Sequence, residues 1–378
     1  MAKLRELEQI LADHRHWLET DKRQGKRADL SGADLDGVDL SGVLLSGANL
    51  SGASLNKTNL SSAQLSHTDL SGASLHGANL RHADLLLTNF SGACLCSADL
   101  SAATPTGDNP YVSTRRGPKF READLTDARL VGTYCYRSDF SDAKLIRTDF
   151  TQAYLSDADL CGADLSCNNL SEAVLVNAHL EGANLSRANL AGAQMVHADL
   201  SNSRLSGANI KGANLEAANL ANAEVEGIRY DRKGRYRGVR VASCYGSSRF
   251  KRFAQDQDFI EELKDGHPLR YYLWLLLTDC GRSLMRVFCW SLGLVVLFGL
   301  GFYGLGEEAF SVTNKDSLGW NLFTVIYYSL VTFTTLGFGD ITPRTHMAAS
   351  LVMLEVVLGY LMLGMLISIL ADKVARRS

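Results

Sequence analysis

Residues 335–340, Thr-Leu-Gly-Phe-Gly-Asp, hold the most chemically specific pattern in this 378-residue chain. Alternate glycines, Gly337 and Gly339, permit backbone angles closed to other residues. A stretch of this kind can turn consecutive carbonyls toward one axis, where they replace the water around a cation. The Thr335 hydroxyl adds a lower ring of oxygens, and Phe338, between the glycines, is expected to point away from the axis and brace a wall. The chemistry is ion coordination by neutral oxygens. No Ser/His/Asp triad or paired carboxylates stand out, and no enzyme activity is expected.

The surrounding segments must bring that backbone to an axis. Val287–Gly306 and Met347–Ala371 are apolar runs long enough to span a bilayer. Between them, Trp320–Thr335 is too short and too rich in hydroxyls to span. Irregular backbone at membrane depth is tolerated only inside protein or along a wet cavity. Arg282 and Arg286 precede the first run; Lys373, Arg376 and Arg377 follow the second. Two spans return the chain to its starting side, so the basic flanks place both termini in the cytoplasm. Glu307, Glu308 and Asp316 then fall in the outer loop. Glu355 is an ionisable group within a span, which implies a function or a partner; it is expected to hydrogen-bond the short central helix.

The first half has a different logic. Every fifth residue from Leu30 is large and apolar: Leu35, Leu40, Leu45 and onward to Leu100, then from Phe120 or Leu125 to Val225. A small residue, usually Ala, sits two places earlier, as in Ala48-Asn49-Leu50-Ser51-Gly52. A period of five fits neither a helix nor a flat strand. A chain that turns a corner at each unit keeps every Leu inside and puts Ser, Gly, Asp and Asn at the corners. The stretch 101–119 keeps the register of five but contains Pro105, Pro110 and Pro118, and is expected to loop out, with Arg115 and Arg116 on it. Leu4, Leu7, Leu11 and Leu18 have helical spacing and are expected to cover the open first coil.

This segment resembles the pentapeptide-repeat family. The resemblance implies an all-β, right-handed quadrilateral β-helix with four units per coil, of roughly nine coils and about 40 Å. Some members imitate DNA and bind gyrase. Here His67, Arg81, His82, Arg121, Arg137, Arg147, Arg187 and Lys211 mix with the acids, which argues against nucleic-acid mimicry; a cytoplasmic protein or ligand is the alternative partner for the rod.

Residues 327–343 resemble the TVGYGD signature of potassium channels, with Leu336 in place of Val or Ile and Phe338 in place of Tyr. The resemblance implies an α-helical membrane domain: two transmembrane helices with a re-entrant pore helix and filter. Thr335, Leu336, Gly337 and Phe338 would supply carbonyls to K+, the permeant ion, with no other metal or cofactor. Gly339 would end the filter and Asp340 sit at its outer mouth. Gly359 falls where the family has its inner-helix hinge, and Leu363, Ile367, Ser368 and Ala371 would line the cavity. One chain carries one filter strand, so a homotetramer is implied.

The expected organisation is a capping helix (1–26), the β-helix (27–226), a basic linker and interfacial helix (227–283) and the pore domain (284–378). Gly227–Arg252 is basic and is expected to cap the rod and meet anionic headgroups. Tyr271, Tyr272 and Trp274 suit the headgroup level of the membrane. A net charge of -3 implies no nucleic-acid partner. The eight cysteines form no CxxC pair, and Met1–Lys26 has no apolar core of a secretory signal. The expected function is passive, K+-selective conduction at the cell membrane. The alternatives are a membrane-tethered scaffold with a degenerate pore and a weakly selective cation channel.

Overall fold

Backbone pairing follows the five-residue repeat. Asp29 pairs with Asn49, Asn49 with Asp69 and Asp69 with Asn89, all in parallel. Each step is twenty residues, or four repeats, and four such ladders start at Asp29, Asp34, Asp39 and Leu44. This computed structural model, which describes residues 2–104, 116–312 and 319–375, is therefore a right-handed quadrilateral β-helix followed by a helical membrane domain. The two form separate compact units, Met1–Glu261 and Glu262–Ser378.

In the rod every inward Leu or Phe from Leu30 to Val225 is buried, with Ala in the narrower slot beside it. Neighbouring coils exchange hydrogen bonds in both directions: Leu30 N–H donates up to the Asn49 carbonyl at 2.7 Å, and Asn49 N–H donates down to the Ala28 carbonyl at 3.0 Å. The corner closes with Ala33 N–H on the Leu30 carbonyl at 3.1 Å. That turn needs a left-handed third residue, supplied by Gly32 at φ +64°. Lys57, His67 and Arg187 occupy the equivalent position at other corners, at φ +58°, +60° and +60°. An L-residue there is strained by about 1–2 kcal/mol; the ladders on either side hold it. Where the ladder residue is Asp or Asn it accepts from the second N–H ahead, as Asp29 does from Ser31 at 3.1 Å. It also accepts from its neighbour one coil up, Asn49 Nδ2 at 3.0 Å.

At the insertion the ladder step becomes thirty: Asn89 pairs with Lys119, Cys94 with Asp124 and Asp99 with Arg129. Ten extra residues are two whole repeats, which is why the register survives. Residues 105–115, with Arg115, lie outside the described residues; Arg116 is exposed.

Helix α1 (Ala2–Glu19) covers the first coil with Leu7, Ile10 and Leu11. Its buried His14 accepts the orphan Ala28 N–H on Nδ1 at 3.0 Å. At the far end the structure corrects the expected boundary at 226. Arg229, Arg235, Arg240 and Tyr245 extend the four ladders by a further coil. Ile228, Val239 and Cys244 fill its narrow slots, with Tyr236 and Val241 inside. One extra residue between Tyr230 and Tyr236 breaks the period of five, so this coil does not read as a repeat. The Asp29 ladder thus has eleven rungs, ending at Arg240, or about 48 Å. Helix α2 (Ser248–Gly266) closes that end with Phe250 and Ala254 in the core.

Helix α2 ends at Gly266, before Pro268, whose ring disfavours helical angles at His267. A new helix, α3 (Pro268–Thr278), starts there and carries Tyr271, Tyr272 and Trp274. Two helices, α4 (Leu284–Leu305) and α6 (His346–Ala375), are long and apolar enough to cross a membrane. The 22 residues of α4 reach about 33 Å. Between them run β1 (Phe310–Val312), α5 (Leu322–Phe333) and β2 (Ile341–Pro343). Strands β1 and β2 pair antiparallel, Phe310 opposite Pro343 and Val312 opposite Ile341. Asp316 lies outside the described residues.

Candidate functional site: a re-entrant helix and the backbone that follows it

Asn321 starts α5 by accepting the Thr324 N–H at 3.0 Å, while Thr324 Oγ1 donates to the Gly319 carbonyl at 2.7 Å. Twelve residues give α5 about 18 Å, well short of a bilayer. It ends in a tightened turn, Thr335 N–H on the Thr332 carbonyl and Leu336 N–H on the Val331 carbonyl, both at 3.0 Å. Beyond it the backbone alternates. Thr335, Gly337 and Gly339 are left-handed at φ +59°, +50° and +73°, and the residues between them are not. Alternating handedness cancels the flip between successive peptide planes, which sets neighbouring carbonyls on the same side.

The sequence predicted glycine freedom at 337 and 339 but not the third left-handed position. Thr335 is β-branched, and such a conformation costs about 1–3 kcal/mol, a strain typical of functional backbone. Its hydroxyl donates to the Thr334 carbonyl at 2.7 Å, which leaves its lone pairs available. Leu336 and Phe338 are 63% and 66% exposed, so the wall that Phe338 is expected to brace is not supplied by its own chain. Asp340 accepts the Ile341 N–H at 3.1 Å and faces the Tyr327 hydroxyl of α5.

Both flanks of this backbone are tied to one aromatic cluster. Tyr328 of α5 lies 5.3 Å from Phe302 of α4 and 5.7 Å from Phe310 of β1, centroid to centroid. Phe310 also stacks on Trp320 at 5.4 Å. Because β1 pairs with β2, the segment after residue 340 is held by the same rings that hold α5. At the other end, a Cβ on Gly359 of α6 would overlap the Phe333 carbonyl. One turn earlier the buried Glu355 accepts from Ser329 Oγ of α5, which also lies 2.7 Å from the Val295 carbonyl of α4. Three helices thus meet at Ser329: the expected bond of Glu355 to the short central helix is present, and the further link to α4 at Val295 was not foreseen.

Thr335, Gly359 and Leu363 come together around a cavity of about 190 Å³, with Phe333 and Thr334. Ile367, Ser368 and Ala371 do not border it; they lie further along α6, exposed on the single chain together with Leu363. Helix α6 runs unbroken through Gly359, and the role the geometry gives that glycine is close packing.

A family profile described as an ion channel matches residues 290–376, the whole of this site. Pentapeptide repeats match 26–61, 63–101, 119–157, 143–182, 169–207 and 198–228. The chain belongs to the pentapeptide-repeat proteins, and its C-terminal region matches the ion-channel family. Among solved structures, this pentapeptide-repeat protein is similar over its rod to HetL, a pentapeptide-repeat protein involved in heterocyst differentiation regulation, from the cyanobacterium Nostoc sp. strain PCC 7120. The two are 30% identical over 60% of this chain and 92% of that one, with a TM-score of 0.28. Rfr23, from the cyanobacterium Cyanothece 51142, is 28% identical over 39% and 89% of the two chains, TM-score 0.21. QnrB1, a plasmid-mediated fluoroquinolone resistance protein, is 20% identical over 53% and 92%, TM-score 0.30. No curated protein matches the chain.

In the rod several carboxylates are engaged by hydrogen bonds. Asp29 is held below the usual carboxylate range by the Ser31 hydroxyl and N–H. Burial pushes Asp69 upward, but Ser71 and Asn89 outweigh it and the net direction is down. Among the described residues no cluster of three His, Cys, Asp or Glu side chains could hold a metal.

Proposed function

We propose that this channel conducts K+ passively and selectively through a fourfold homotetramer. Thr335, Leu336, Gly337 and Phe338 supply the carbonyl rings, Gly339 ends the filter, and Asp340 shapes its outer mouth. The observation that carries this reading is the alternating left-handed backbone at 335, 337 and 339 directly after a short re-entrant helix. Neutral carbonyls in successive rings can replace the hydration shell of K+ without binding it too tightly to leave.

The tetramer is supported by the exposed Leu336 and Phe338 and by the exposed face of α6, apolar surfaces that further copies would cover around the axis. K+ is the transported ion; the conduction needs no cofactor and no catalytic residue. The basic residues flanking the spans support a cell-membrane protein with both termini and the rod in the cytoplasm. The rod serves as the regulatory or docking domain.

A weakly selective cation channel is the second reading, favoured by Leu336 and Phe338. Phe338 lacks the hydroxyl that would tie the filter wall, and a looser wall discriminates less between K+ and Na+. The reversal potential of the reconstituted protein in opposed K+ and Na+ separates the two readings. A Gly337→Ala variant, which should carry no current, tests the filter itself.

A further inference from the structure

The rod's last coil departs from the others in charge. Along three ladders Asn209 is followed by Arg229, Asn214 by Arg235 and Asn219 by Arg240; on the fourth, Glu224 is followed by Tyr245. Basic side chains therefore leave three sides of one coil and an aromatic leaves the fourth. All three arginines are exposed, Tyr245 is 57% exposed, and Arg232 and Lys233 add exposed charge at a corner.

The acids nearby are engaged elsewhere. Asp231 Oδ1 accepts the N–H groups of Gly212, Lys233 and Gly234 at 2.9, 3.0 and 3.3 Å. Asp258 Oδ1 accepts the Gly238 N–H at 2.7 Å, and Glu261 accepts those of Tyr236 and Arg237 at 3.2 and 3.0 Å. They satisfy the open backbone edge of the coil. Among the described residues, Arg229, Arg232 and Arg240 have no ion-pair partner.

We propose that this coil is a docking surface for anionic phospholipid headgroups. Guanidinium groups bind phosphate through paired hydrogen bonds, and an aromatic such as Tyr245 suits the headgroup layer. The whole chain is slightly acidic at -3, so the basic ring is local. A nucleic acid offers the same phosphates. The bilayer is favoured because the chain enters it about 40 residues beyond Tyr245, at α4, and tethering holds headgroups at high effective concentration. The inference rests on the membrane domain and not on K+ selectivity.

The test uses the full-length protein in phosphatidylcholine nanodiscs with phosphatidylglycerol added. Trace photoactivatable phosphatidylglycerol or phosphatidylcholine is cross-linked, and the sites are mapped by mass spectrometry. Peptides spanning 229–245 should be labelled several-fold more by the anionic probe, and less as salt is raised. Replacing Arg229, Arg235 and Arg240 together by Gln should remove that excess, with labelling of α4 and α6 as the internal standard. Replacing all three by Lys should keep most of it. Equal labelling by the two probes, an excess that survives the Gln variant, or equal loss in the Gln and Lys variants would overturn the proposal. So would displacement of the label by short duplex DNA.

Discussion

Gly359 of α6 lies against the carbonyl oxygen of Phe333, the last residue of α5, with no room for a methyl group between them. Phe333 stands two residues before Thr335, so the inner helix touches the backbone that leads into the filter. Gly364, one turn further along α6, has nothing within 4 Å of its would-be Cβ.

That contrast makes a paired prediction. Gly359→Ala forces α5 and α6 apart and should destabilise the pore by about 1–3 kcal/mol, the range for overpacking, with loss of most conductance. Gly364→Ala gains helix propensity, about 0.8–1 kcal/mol in its favour, unless another subunit fills that space. Thermal unfolding and single-channel conductance of the two variants, measured side by side, check it.

Ser329 links three helices, and its loss should be felt by all of them. Ser329→Ala leaves the buried Glu355 Oε1 without a partner, a loss of about 1–3 kcal/mol. Glu355→Gln keeps the volume and an amide oxygen for Ser329, and should be milder. Melting temperatures of the purified variants decide; a Gln variant less stable than the Ala variant would mean that the carboxyl group itself carries the contact.

The rod was legible because its period is unlike that of any helix or strand: Leu30, Leu35 and Leu40 can share one interior only if the chain turns at every unit. The alternating glycines were legible for a similar reason, since Gly337 and Gly339 have few other uses so close together. What escaped the sequence depends on three-dimensional neighbours. The Gly359–Phe333 contact joins residues 26 apart on separate helices, and the Ser329–Val295 bond joins residues 34 apart; only the bond of Glu355 to α5 was expected. The left-handed angle at Thr335 is imposed by the turn that ends α5 and runs against its β-branched type. The last coil was hidden by one extra residue before Tyr236.

The cap should release before the rod as pH falls. Burial, with the nearby Arg27 charge, holds the His14 pKa below its ordinary value, and its Nδ1 must be unprotonated to accept the Ala28 N–H. The unfolded state then binds the extra proton, so the cap's contribution is complete above about pH 6.5 and declines as pH falls through the folded value. Relative to the intrinsic exchange rate at each pH, protection of the Ala28 amide should fall over that window in the native protein and not in a His14→Gln variant.

The Asp ladders should respond at lower pH. Asp29, Asp39 and Asp199 all have lowered pKa values: Asp29 from the Ser31 side chain, Asp39 from the Ser41 N–H, and Asp199 from Ser201 and Asn219 against an opposing effect of burial. A depressed folded value stabilises above the unfolded pKa, near 3.9, and the benefit is lost as pH falls further. The rod's melting temperature, followed by its β signal in circular dichroism, should be nearly level from pH 7 to about 5 in this respect and drop below about 4.

Left-handed corners without glycine offer a gain. Ser62 and Ala217 sit at φ +57° and +55°. Ser62→Gly and Ala217→Gly should each raise rod stability by about 1 kcal/mol through relief of backbone strain, less the extra entropy of an unfolded glycine. Chemical denaturation of each variant checks the sign.

Ion selection by residues 335–339 is the central property of the proposed function. The purified full-length protein, reconstituted with K+ on one side of a planar bilayer and an equal concentration of Na+ on the other, gives that answer as a reversal potential. The account predicts a potential far from zero, at the sign set by K+ leaving its own side, and no current from the Gly337→Ala variant. Reversal at zero, with unitary currents of equal size for the two ions, would contradict it.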